Sequence, residues 1–295
     1  MRTALITVSE PGAALVRRLK RRWRGAEVFL HTGVRARMAG ARFRSILTLT
    51  REIFGRYDGL VYVAPCGVVV RAVGPRVRDK RTDPAVVVVD AGGCFAISLL
   101  SGHEGGANAL AVEVSNILGS EPVITTTTEA VKTVVAGVGC RRGVPAAAVL
   151  RALRAALDRA GVDAGEVREL ATADIKGNER GVIEAAAVLG LPLRLIASEA
   201  IRACPLRFRR SALVQAAVGL PAVAEPAALL AGRRATLLLP RMAVAGVTVA
   251  LARDGSMWSG SAPARRSTGP TGPKGPSRRA AWSSAIPATS RPSRI

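Results

Sequence analysis

The sequence predicts an α/β protein built as two α/β domains with mainly parallel sheets. Three observations carry that expectation. Short apolar runs suited to buried strands alternate along the chain with stretches whose apolar residues recur at helical spacing. At 295 residues the chain has room for two ordinary domains. Ile97 to Gly119, ISLLSGHEGGANALAVEVSNILG, joins an apolar strand to an amphipathic helix through a glycine-rich corner that holds one of only two histidines.

The elements follow in order. Arg2 to Val8 reads as a first strand, and Glu10-Pro11 opens a helix whose Ala14, Leu15 and Leu19 face inward. Ala26 to Leu30 is a second strand, Ile46 to Tyr57 a helix, and Gly59 to Ala64 a third strand ending at Pro65-Cys66-Gly67. Val68 to Val73 is a short apolar helix carrying Arg71. Gly74 to Pro84, with Arg76, Arg78, Asp79, Lys80, Arg81 and Asp83, is too polar for core and reads as a loop. Val86 to Val89 and Cys94 to Leu100 flank the turn Asp90-Ala91-Gly92-Gly93 as adjacent strands, the second read as a buried strand of a parallel sheet. Val123 to Thr128 closes the first domain, residues 1–130, as a strand.

The second domain, residues 131–254, opens with a strand over Thr133 to Gly139 and a helix over Val144 to Ala160. A strand at Arg168 to Thr172, a helix at Val182 to Leu189 and a strand at Leu193 to Ile196 follow. An alanine-rich helix comes after Pro226, and Leu237 to Leu239 and Val247 to Leu251 end the domain as strands.

In the corner, Gly102, Gly105 and Gly106 lack β-carbons, so backbone N–H groups there can approach an anionic or carbonyl oxygen closely. His103 stands in mid-turn, and Glu104 lies where a carboxylate meets the positive end of the following helix. The residues alone leave two readings open: a tight structural turn capped by His103, or a ligand-facing loop.

The net charge of +22 is unevenly spread. Residues 256–295 hold seven Arg or Lys and no acid, and six basic residues crowd Arg17 to Arg24. Arginine greatly outnumbers lysine beside abundant Ala, Gly and Val, as a GC-rich genome would produce, so part of the charge belongs to solvated faces. Aromatic residues are only 3%, too few for a platform that stacks single strands, and no nucleic-acid partner is expected. No apolar run approaches the ~20 residues of a membrane-spanning helix, and the start, MRTALITVSEPG, is unlike a signal peptide. A cytoplasmic protein without membrane contact is expected. Cys66, Cys94, Cys140 and Cys204 lie far apart without metal-ligand or disulfide-framework spacing, so no metal site is expected.

The runs V-V-V-R-A-V-G-P, D-K-R-T-D-P-A-V-V-V-V-D, I-S-L-L-S-G-H-E-G-G-A-N and P-V-I-T-T-T-T-E, in that order, resemble the N-terminal part of the CbiG family, the cobalt-precorrin-5A hydrolases of anaerobic cobalamin biosynthesis. G-V-G-C-R-R-G, D-I-K-x-x-E-x-G and V-G-x-P-A-V-A-E-P-A-A-L-L are similar to the family's C-terminal domain. Two departures stand out. The family usually carries a middle region of several dozen residues, whereas Glu129 to Lys132 joins the two parts almost directly. Residues 255–295, rich in Gly, Pro, Ser and Arg, read as a disordered tail or a frameshift product. With GC-rich codons a shifted frame can spell V-V-G-L-G-P-G and V-V-V-G-Y-T-R-Y-L, similar to the opening of precorrin methyltransferases. Those enzymes are therefore expected neighbours.

The resemblance implies a cobalt-corrinoid substrate bearing acetate and propionate carboxylates and a δ-lactone, which water opens with release of acetaldehyde. No cofactor is expected, because cobalt arrives in the substrate. Such chemistry needs a base for water, donors for the developing oxyanion and cations for the carboxylate rim. His103 and Glu104 are the candidate catalytic residues. Candidate substrate-binding residues in the first domain are Arg71, Lys80, Arg81, Asp83, Gly102, Gly105, Gly106 and Asn108. In the second they are Cys140, Arg141, Arg142, Lys176, Glu179 and Glu225. Cys140 reads either as an activated thiol or as a small buried residue. The alternative function is a non-catalytic corrinoid carrier that channels an unstable intermediate.

Overall fold

The computed structural model describes residues 1–127 and 131–255; the expected tail from 256 onward lies outside the described residues. The chain divides into two compact units, Met1–Ala130 and Val131–Ile295.

Unit 1 is a seven-stranded sheet covered on both faces. Its strands are β1 (Thr3–Thr7), β2 (Glu27–His31), β3 (Ala41–Phe43), β4 (Gly59–Val63), β5 (Ala85–Val89), β6 (Phe95–Leu100) and β7 (Glu121–Val123), in the spatial order β3-β2-β1-β4-β5-β6-β7. The central strands β1, β4 and β5 are buried along their whole length, which is why TALIT, GLVYV and AVVVV read as continuous apolar runs. Helices α1 (Glu10–Arg22) and α4 (Ala107–Leu118) cover one face, packing Ala13, Val16, Leu19, Leu110 and Val114 on Leu5, Val61 and Val87. Helices α2 (Ile46–Ile53) and α3 (Cys66–Val73) cover the other through Leu49, Ile53, Val69 and Val73.

One feature of this sheet moves the glycine corner. β6 pairs antiparallel with β5 and parallel with β7, correcting the reading of Phe95 to Leu100 as a buried strand of a parallel sheet. Only five residues join β5 to β6, too few for a crossover, and Asp90 closes them by accepting from the amides of Gly92 (3.0 Å) and Phe95 (2.6 Å). β6 is also half-exposed, with Phe95 48% accessible. The corner after β6 therefore lies at the amino-terminal ends of β4 and β5, where the Gly74–Pro84 loop returns to the sheet.

Unit 2 is a five-stranded sheet of β8 (Val134–Cys140), β9 (Val167–Ala173), β10 (Leu193–Ile196), β11 (Thr236–Val244) and β12 (Val247–Arg253), ordered β10-β9-β8-β12-β11. β8, β9 and β10 are parallel; β12 runs antiparallel to β8 and forms a hairpin with β11. Helices α5 (Ala146–Ala160) and α6 (Arg180–Leu189) pack Val149, Leu153, Val182 and Ala185 on one face. On the other lie α7 (Ser198–Arg202) and α9 (Ala224–Ala231), with Ile201, Val223 and Ala227 buried. A further helix, α8, spans Ala212–Val218.

Further boundaries differ for local reasons. The helix from Ile46 ends at Ile53, before Gly55, instead of reaching Tyr57. β7 stops at Val123 and Ile124 to Thr126 are irregular, although threonine favours strands. β7 is an edge strand, and Thr126 is held instead by a side-chain bond to Asn108. β3, α7 and α8 were not anticipated by apolar periodicity, being short or largely exposed.

Candidate active site

The glycine corner is built from side chains that hold one another under the start of α4. Asn108, 8% exposed, accepts from the Ser98 hydroxyl at 2.8 Å and donates its amide to the Thr126 hydroxyl at 3.1 Å. That one side chain ties β6, α4 and the segment after β7 together. The amides of Ala107 and Asn108 are taken by the carbonyls of Ser101 (3.1 Å) and Gly102 (2.9 Å). Gly106, at φ +85°, is the N-cap of α4 and supplies no side-chain cap. Gly105 packs so tightly that an added Cβ would lie 2.4 Å from Ser101 Cβ. Ser101 itself sits at φ +58°, rare for a residue with a side chain, and its buried hydroxyl has no partner among the described residues.

The titratable groups sit on the outer side of this frame. His103 is exposed and makes no hydrogen bond among the described residues. Glu104 accepts from Lys80 Nζ at 2.6 Å across the two loops. That bond, its own backbone amide and the nearby His103 hold the Glu104 carboxyl below its ordinary range, so it stays ionised at neutral pH. Both partners are well exposed, and the pair adds little stability.

The other unit 1 candidates have local partners. Arg71 is exposed and bonds back to the Gly67 carbonyl at 3.3 Å. Arg81 pairs with Asp79 (3.3 Å), whose carboxyl is lowered first by the Arg81 backbone amide and then by its side chain. Asp83 is buried and accepts from the Arg78 amide at 2.7 Å, closing the 78–83 loop. The structure thus brings Lys80, Glu104, Gly102, Gly105, Gly106, Asn108 and His103 into one corner. Asp83 shapes the loop beside it, its backbone carbonyl lying 3.3 Å from where a Gly105 Cβ would stand.

In unit 2 the candidates gather at the carboxyl ends of β8 and β9. Glu179 accepts from the Gly143 amide at 2.6 Å and faces Lys176 Nζ at 3.8 Å, their side chains being 10% and 15% exposed. Cys140, the last residue of β8, is half-buried. Burial pushes its thiol above the ordinary range, with Glu179 adding to the rise and Lys176 opposing it. That favours the small buried residue over the activated thiol left open by the sequence. Arg141 and Arg142 are exposed in the following turn. Glu225 is 1% exposed and accepts from the backbone amides of Arg209 (2.5 Å) and Arg241 (2.8 Å), so both its oxygens serve the internal fold.

Sequence reasoning missed Ser98, Ser101 and Thr126 in the corner, and Asp174 and Ser198, which hydrogen-bond each other beside Lys176. Ser98 carried a usable signal, since a hydroxyl at an inward position of an apolar strand needs a buried partner. No group of three or more His, Cys, Asp or Glu suited to a metal occurs among the described residues.

Two α/β units, each with a cluster of polar loops at one end of its sheet, define a protein of the α/β class. The family description "Cobalamin synthesis G N-terminal" matches residues 48–129, and "Cobalamin synthesis G C-terminus" matches residues 134–252. The chain belongs to the CbiG family. It is similar to the cobalt-precorrin-5A hydrolase of Salmonella typhimurium, at 28% identity over 293 residues, covering 68% of this chain and 83% of the relative. The protein of the same name from Priestia megaterium is 38% identical over 136 residues, 44% of this chain and 36% of the relative. Protein CobE of Sinorhizobium is 36% identical over 128 residues, 43% of this chain and 83% of the relative. The Salmonella alignment is much longer than the part of this chain it uses, so the relative carries residues with no counterpart here. The two family matches lie only four residues apart.

Proposed function

We propose that this protein is a cobalt-precorrin-5A hydrolase of cobalamin biosynthesis, with the α4 corner as its reaction site. The observation that carries the reading is the S-G-H-x-G-G-A-N corner, folded as a rigid turn with His103 free on its surface in a chain of the CbiG family. In this reading His103 takes a proton from water as the water attacks the lactone carbonyl. The amides of Gly105 and Gly106 and the positive end of α4 face the oxygen that becomes negative. Lys80 meets a substrate carboxylate. Opening the lactone leaves a hydroxyl on the two-carbon fragment. Its collapse to a carbonyl breaks the carbon–carbon bond, the electron pair passing to the macrocycle, and acetaldehyde leaves.

Cobalt belongs to the substrate in this reading, and the protein needs no cofactor of its own. A cytoplasmic setting is supported by four cysteines held as free thiols. Precorrin methyltransferases are the expected partners. No helix among the described residues is long and apolar enough to cross a membrane. The test is anaerobic incubation of the pure chain with cobalt-precorrin-5A and assay of acetaldehyde. Stoichiometric release is expected, whereas tight binding without acetaldehyde would replace the hydrolase by a carrier.

A further inference from the structure

We infer that the carboxyl edge of β8 and β9 in unit 2 is a separate anion-binding site for the carboxylates of a corrinoid, with Lys176 as its contact and Glu179 as its positioning residue. The corrinoid identity rests on the proposed function; the anion class rests on the geometry alone.

Lys176 rides on the single 3-10 turn Asp174–Lys176 that leaves β9, closed by the Gly177 amide on the Asp174 carbonyl at 2.9 Å. Its side chain is only 15% exposed, so the stem is fixed by packing. The ammonium nevertheless makes no hydrogen bond among the described residues, and its one ionic neighbour, Glu179 Oε2, stands at 3.8 Å, beyond hydrogen-bond reach. The stem is buried while the ammonium itself is not among the buried unpartnered atoms, so its three donors are open to solvent or to an anion.

Glu179 makes no hydrogen bond to Lys176, and its Oε1 accepts from the Gly143 amide at 2.6 Å. The same carboxylate therefore pins the Cys140–Gly143 turn to the β9 turn and sets the direction of Lys176. The pinned turn carries Arg141 and Arg142, both exposed and without an ionic partner among the described residues. Arg141 is further fixed by its backbone, whose amide donates to the Gly246 carbonyl at 3.1 Å. The remaining acid of the edge, Asp174, is exposed and accepts from the Ile175 amide (2.8 Å) and the Ser198 hydroxyl on one oxygen, Oδ1. Arg141 and Arg142 thus face solvent at one edge with the mostly buried Lys176 on the adjoining turn, and of the two nearby acids Glu179 is nearly buried while Asp174 is exposed. The helices behind them reinforce the sign. α5 and α6 begin side by side, so close that a Cβ on Gly181 would lie 2.0 Å from the Val144 carbonyl oxygen, and their positive ends point to this edge.

Such a site takes a planar carboxylate through Arg and Lys, and several carboxylates on one ring better than one. The test uses the full chain with two stable probes: cobyrinic acid, which has free carboxylates, and its fully amidated counterpart, compared by equilibrium dialysis. The wild type should prefer the acid by about tenfold or more, with affinity falling as salt rises. Lys176→Met keeps the stem volume and should lose that preference while binding the amide unchanged. Glu179→Gln keeps an acceptor for Gly143 but loosens Lys176, and should give an intermediate loss. If Lys176→Met fails a circular-dichroism check, the exposed Arg142→Gln carries the same test. A Lys176 variant that keeps the preference, or a wild type that shows none, overturns the site. Acetaldehyde release on the same preparations separates the two readings. Release with an unaltered Lys176 variant removes the site and leaves the hydrolase. Selective loss of acid binding without release by the wild type leaves the site and removes the hydrolase.

Discussion

His103 and Ser101 stand two residues apart in one turn and have opposite relations to it. His103 is exposed and makes no hydrogen bond among the described residues, so their fold does not depend on its imidazole. His103→Ala should leave thermal stability within ~0.5 kcal/mol of the wild type and lower acetaldehyde turnover by about 10²- to 10⁴-fold, the contribution of a positioned base. Near-normal turnover in that assay would move the base elsewhere. Ser101 is the reverse, a buried hydroxyl without a partner among the described residues on a backbone at φ +58°. Ser101→Gly relieves both the strain and the orphaned group, and a gain of roughly 1 kcal/mol is expected after the added chain entropy of glycine. Ser101→Ala relieves only the hydroxyl, so its gain should be smaller. Urea denaturation decides it, and a loss with alanine would mean that the hydroxyl is bonded in solution.

At the scale of the element, α4 and its corner behave as one piece. Asn108→Ala strands the buried Ser98 hydroxyl and releases Thr126, at a cost of about 1–3 kcal/mol. Gly105→Ala forces a Cβ against Ser101 and should cost about 1–3 kcal/mol for a different reason, overpacking. Denaturation midpoints of the two single variants and the double variant test whether the corner is one unit, since coupled sites give a double loss unequal to the sum. The corner itself was legible in the sequence because three glycines, an asparagine and a histidine follow an apolar strand without a gap. The orientation of that strand was less so. Apolar content marks Phe95 to Leu100 as a strand but is silent on direction, which the five-residue Asp90 turn decides. Ser98 and Thr126 were illegible for another reason: each is ordinary in its own neighbourhood and acquires meaning only when Asn108 bridges them. Lys176 and Glu179 were visible as a charged pair three apart. That Glu179 also reaches Gly143, 36 positions away, is knowledge only the fold holds.

For the molecule as a whole, both tyrosines fall in unit 1, so its alkaline response can be read apart from unit 2. Tyr62 is fully buried between the sheet and α2, bonded to the Thr50 hydroxyl at 2.9 Å, and burial pushes its phenol up to about 12. Tyr57 is raised first by burial and then by its bond to Glu27 at 2.7 Å. A group whose folded pKa lies above its unfolded value near 10 stabilises the fold fully below that value and loses the contribution as pH climbs toward 12. Glu27, Asp79 and Glu104 are shifted the other way, chiefly by hydrogen bonds, but all three are solvated and their loss on acidification is small. Unit 1 should therefore tolerate acid better than alkali. In a spectrophotometric titration the phenolate band should lag behind that of the urea-unfolded chain and then rise together with the loss of far-ultraviolet dichroism. Two phenolates titrating near 10 with the fold intact would place Tyr62 in contact with water and contradict the packing of α2 on β4.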